Sequence, residues 1–186
     1  MDLLRSEWNA TNSRLVKHVT ALVNKRIEKA YIKLPVSRLN EGESRNDDEE
    51  IVVEELIFNK IQNEEFKEYE KVKKVLRDLE SCLDKINACG EEKIFVEQNK
   101  MKTDTATDGV GLDGTKNVSV TKYSVECKYK ISKLREMLAG YNQEMKLKCR
   151  IVDDLYTQAN REILLAYTSA ILMEPYLLDD QNTSLY

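Results

Sequence analysis

The sequence predicts an all-α, elongated protein: an N-terminal helix, an acidic linker and a long antiparallel helical hairpin with a flexible tip. Three observations carry this. Charged residues make up 33% of the 186 residues while Gly and Pro are scarce, at six and two. Such a composition favours long helices with solvated faces. Apolar residues recur three and four apart over two long stretches, the spacing of a helical stripe. The two stretches are also opposite in charge, the first acidic and the second basic.

The N-terminal helix is expected over residues 1–34. Leu15, Val19 and Leu22 share a face, as do Val16, Val19 and Val23, with Ile27, Tyr31 and Leu34 further round. Asp2 can cap its start, and "NATNSR" is a weak helix former where a break is conceivable. Pro35 stops the helix, because the residue before proline is pushed out of the α region. Residues 35–49, "PVSRLNEGESRNDDE", have no apolar period and read as an exposed linker. The acidic residues Asp47 to Glu50 fall where a helix should begin, and negative charge in a first turn is favourable against the helix dipole. Ser44, followed by acidic residues, fits the pattern acidophilic kinases modify and is a candidate phosphosite.

Residues 50–174 form the expected hairpin. In its first arm Tyr69, Val72, Leu76, Leu79, Leu83 and Ile86 alternate by three and four, interleaved with Val75, Cys82 and Cys89. Two interleaved seams make a broad stripe, which suits a bundle of three or four helices better than a two-stranded coiled coil. Gly90 is a plausible end or kink. A flexible loop is expected at about 101–120, rich in Thr, Asp and Gly. It has a calcium-loop look at Asp104, Asp108 and Gly109, but Ala106 and Thr115 stand where ligands are needed.

The second arm opens on an ambiguity. From Tyr123 to Ile131 the odd positions are apolar, as in a strand, yet Cys127, Ile131, Leu134 and Leu138 keep a helical rhythm. The helical reading starts near Ser124, which can cap it. The minor alternative is a small β-hairpin pairing 93–97 with 118–130. Downstream, Tyr141, Met145, Val152 and Leu155 carry the seam, interrupted by Lys148, and the register shifts past Ala159. Lys148 either fixes the register of the assembly or snorkels to its edge. The helix ends by Glu174, before Pro175, and 175–186 is a tail.

Chemistry is little announced. The single histidine, His18, has no second ligand at metal spacing, and Cys82 and Cys89 are too far apart on one helix to share a zinc. No phosphate-binding, dinucleotide, zinc-protease or hydrolase motif occurs. No catalytic residue, cofactor or metal site is expected. The net charge of -4 argues against direct nucleic-acid binding. With no signal-peptide pattern and no apolar run of spanning length, an intracellular and more specifically nuclear protein without a membrane span is expected. The four cysteines are then reduced, and the sequons at Asn9, Asn117 and Asn182 are chance matches.

The apolar stripes exceed what one hairpin can cover. The expectation is therefore a non-enzymatic structural subunit of a multiprotein, hetero-oligomeric assembly. Helical partner chains would bind the seams formed by Tyr69, Val72, Val75, Leu76, Leu79, Leu83, Ile86, Ile131, Leu134, Leu138, Tyr141, Met145, Val152 and Leu155. A kinetochore or Mediator-type complex fits by architecture alone. A stand-alone helical adaptor, in trafficking or as a chaperone-like module, is the alternative. On this reading, Leu79→Asp and Leu138→Asp each break assembly.

Overall fold

The computed structural model describes the backbone of residues 1–32, 47–106 and 117–177, and their side chains except for 47–52, 54, 103–106 and 117–124. The fold is all-helical: α1 spans Asp2–Tyr31, α2 Asp47–Ala106, α3 Asn117–Leu155 and α4 Arg161–Met173. No strand occurs among the described residues.

That removes the β-hairpin alternative. Residues 93–97 lie inside α2 and 118–130 inside α3. A helix satisfies its backbone groups within the segment, whereas this alternation had no third strand or sheet to join. Several boundaries also move. The "NATNSR" stretch is continuous helix within α1, α2 runs through Gly90, and α3 starts at Asn117 rather than near Ser124. The expected loop at about 101–120 loses both its ends to helix, and the expected linker loses its last residues to α2. Residues 33–46, with Ser44 and Pro35, and residues 107–116 and 178–186 lie outside the described residues.

The expected single helix from Ser124 to Met173 is in fact two. Asp154 accepts main-chain bonds from Thr157 (3.0 Å) and Gln158 (2.9 Å), closing a turn after α3. Asn160 then caps α4, its Oδ1 accepting from the amides of Glu162 (2.8 Å) and Ile163 (3.2 Å). Such a cap satisfies amides that have no partner within the helix. The register shift in the sequence is the trace of this break.

The chain divides into two compact units. The first comprises Met1–Asn9, Leu79–Lys146 and Glu174–Tyr186, the second Ala10–Asp78 and Leu147–Met173. In the first unit, α2 and α3 run antiparallel. Asn142 Nδ2 donates to Asn87 Oδ1 at 3.0 Å, Cys127 Sγ donates to Glu97 Oε2 at 3.5 Å, and Gly90 packs directly under Leu138. A Cβ on Gly90 would lie 2.6 Å from Leu138 Cδ2, so glycine serves here as a close-approach residue rather than a helix end. The start of α1 adds Trp8, fully buried and edge-on to Tyr141 at 5.0 Å between ring centroids.

In the second unit, α1 lies antiparallel to α2. Arg14 pairs with Asp78 (3.4 Å), Lys25 with Glu64 (2.8 Å), and both Arg26 (3.2 Å) and Lys29 (3.0 Å) with Glu65. The acidic face of α2 thus meets cations of α1, where the charge pattern had suggested α3. Lys130 and Lys133 of α3 pair along their own helix, with Glu126 and Glu136, each at 2.8 Å. The core here joins Leu15, Val19 and Leu22 of α1 with Val72 and Val75 of α2, Val152 and Leu155 of α3, and Leu164 and Ile171 of α4. Each such aliphatic side chain contributes about 1.5–3 kcal/mol on burial.

Candidate interaction surfaces

Most of the seam residues expected to meet partner chains are buried within the chain itself. Val72, Val75, Leu79, Leu83, Ile86, Ile131, Leu138, Tyr141, Met145, Val152 and Leu155 are buried, and Tyr69, Leu76 and Leu134 are half-buried. Three-four spacing specifies a helical stripe but not whose helix covers it. Here α1 supplies a third helix beside both arms, which a hairpin-only account lacks. A charge at Leu79 or Leu138 would therefore enter the chain's own core.

Buried polar groups are engaged at helix ends. Lys148, expected either to fix the register of an assembly or to snorkel to its edge, is fully buried and its Nζ donates to Ile171 O at 3.3 Å. Asn12 Nδ2 donates to the same oxygen at 3.3 Å. The last carbonyls of a helix have no partner within it, and a cation there is favoured by the helix dipole. In the first unit, the fully buried Glu144 accepts from the amide of Tyr176 at 3.3 Å. There, too, Trp8 Nε1 donates to Glu174 Oε1 at 2.7 Å. Glu174 has a φ of 46°, the left-handed conformation that commonly follows a helix.

His18 Nδ1 lies 3.1 Å from Glu68 Oε2, bridging α1 and α2. None of the four cysteines is in a disulfide, and Cys82 and Cys127 are buried. Burial, then the neighbouring Glu7, pushes the Cys82 thiol above its ordinary range; burial and the Glu97 carboxylate do the same to Cys127. No cluster of three or more metal-ligating side chains exists among the described residues. A shallow groove of about 240 Å³ in the second unit is lined by Arg26, Lys29, Glu65, Phe66, Tyr69 and Tyr156, among others. Its cations are already paired with Glu65.

The sequence offers Leu164, Leu165 and Ile171 as apolar positions outside the main seam, but it does not set α4 apart as a helix of its own. From Ile163 to Met173 this helix carries no charged residue. Only Leu164 and Ile171 are buried, while Leu165, Leu172 and Met173 are 46%, 62% and 61% exposed. A helix with so many apolar side chains and so few charges is ordinarily covered on more than one face. The signal was present as "ILLAYTSAILM", but the stripe read there followed a single helix rather than a separate one. Further exposed apolar groups stand on α2 (Val53, Leu56, Ile57, Phe95, Val96) and α3 (Val125, Tyr129).

No helix among the described residues is long and apolar enough to cross a membrane. No protein-family model matches the chain, and no curated protein matches it in sequence. Its function is therefore argued from these surfaces.

Proposed function

We propose that this chain is a non-enzymatic helical subunit that binds a helix of another protein chain on the outer face of α4. One observation carries the proposal: α4 has no charged side chain from Ile163 to Met173 and buries only Leu164 and Ile171. Leu165 and Leu172 are seven residues apart, so together they offer a two-turn apolar strip. Thirteen residues are too few to span a bilayer. The helix also lacks the charged face of one that lies on a membrane, which favours a protein partner. The buried polar groups Lys148, Asn12 and Glu144 hold helix ends and turns, supporting a structural rather than a chemical role.

The finer reading is a hetero-oligomeric nuclear assembly of kinetochore or Mediator type. It rests on likeness of architecture alone. The adaptor reading gains from the internal burial of the seams, which favours a chain that folds without partners. Both readings share the face of α4.

The test is purification of the tagged chain from its own cells, followed by identification of what co-purifies in stoichiometric amount. The subunit reading expects a fixed set of helical partners, lost on Leu172→Asp. A chain recovered alone and still helical would reject it in favour of the adaptor.

A further inference from the structure

The first turns of α2 hold a second surface, distinct from α4. In the second unit, Lys29 is the last α1 side chain described against α2, with Nζ 5.2 Å from the centre of the Phe58 ring. Helix α2 begins eleven residues earlier, at Asp47, and those residues read "DDEEIVVEELI". The stretch is acidic and holds no Lys or Arg. Within it, Val53, Leu56 and Ile57 are 53%, 64% and 45% exposed. Spaced by three and four, they form one apolar stripe on one helix face. Glu55 stands exposed beside it.

We infer that this stretch docks against a basic amphipathic helix of a partner protein. Apolar side chains of that helix would cover Val53, Leu56 and Ile57, and its Lys or Arg residues would complement Glu55 and the acidic sequence around it. Charge complementarity selects this occupant. Flanking charges determine which helices pair, and a segment with no cation of its own discriminates against acidic partners. The same charges disfavour an anionic membrane surface or nucleic acid. The inference rests on the reading that the chain binds helical partners, but on a different face.

The probe is a synthetic peptide of about four heptads with Leu at a and d and Lys at e and g, and a control with Glu at e and g. Binding to the intact chain is followed by fluorescence anisotropy. The Lys peptide should bind and the Glu peptide should not. Binding should weaken as ionic strength rises, since exposed charges are screened over about 10 Å at 0.1 M salt. The double substitution Leu56→Ser with Ile57→Ser should weaken it at least tenfold, about 1.4 kcal/mol. Leu172→Asp should leave it unchanged, which separates this site from the face of α4. Failure of the Lys peptide to bind, equal binding of the Glu peptide, or full binding by the double variant would overturn the inference. So would self-association of the chain that the double variant abolishes, because the occupant would then be a second copy.

Discussion

The ammonium of Lys148 donates to the main-chain oxygen of Ile171 at 3.3 Å from a fully buried position. A residue of α3 thereby holds the C-terminal turn of α4, the helix whose outer face is the proposed docking strip. Lys148→Met keeps the length of the side chain and removes the donor. It should destabilise the chain by roughly 1–3 kcal/mol, the range for a lost buried bond to a charged group. Urea unfolding followed by circular dichroism measures it; an unshifted midpoint would mean the bond contributes nothing net.

Two glycines should respond differently to alanine. A Cβ on Gly140 would lie 2.8 Å from Tyr176 O, a main-chain atom of the turn after α4. Gly140→Ala should cost about 1–3 kcal/mol as overpacking, outweighing a helix-propensity gain of about 1 kcal/mol. At Gly90 the obstacle is the Leu138 side chain. Gly90→Ala should therefore be more favourable in a Leu138→Ala background than in the parent. A double-mutant cycle in urea reads this coupling, and strict additivity would contradict the close approach.

Glu68 should make stability depend on acid pH. Burial alone would raise its pKa, but the bonds from Lys71 and His18 outweigh that and hold it below the ordinary value. A carboxylate depressed in the folded state adds stability above its unfolded pKa and loses it as pH falls through the folded value. The parent should exceed Glu68→Gln in stability at neutral pH, and the gap should close as pH falls below about 4.5. Thermal melts across that window check it; a constant gap would contradict the assignment.

The thiols of Cys82 and Cys127 should alkylate slowly in the native chain. Both are buried and both have raised pKa values, so little thiolate is available. Iodoacetamide labelling followed by peptide mass analysis should find both sites protected at neutral pH and labelled after unfolding in urea. Prompt native labelling of either would contradict its placement.

The helical class was legible because Tyr69 to Ile86 and Cys127 to Leu155 repeat at three and four over many turns, a pattern no strand sustains. The ownership of those stripes was not legible. Leu79 and Leu138 would read identically facing a foreign helix or α1, since periodicity records a face and not its cover. Gly90 misled for a related reason. Glycine in a helix signals an end in sequence, while its use under Leu138 depends on a neighbour more than forty residues away. The break before α4 left a one-residue shift in register and an Asn at the capping position. It was masked because the apolar residues of α4 continue a stripe from any starting angle.

The measurement that tests the account most directly is protection of the α4 face in the native assembly. Ser169→Cys places an exposed thiol on that helix between Leu165 and Leu172. Its alkylation rate is compared between the purified chain and the chain in extract from its own cells. The purified chain should label rapidly and the chain in extract should be strongly protected, with the protection lost on Leu172→Asp. Equal labelling in both would show that nothing covers α4, and the proposed docking face would be wrong.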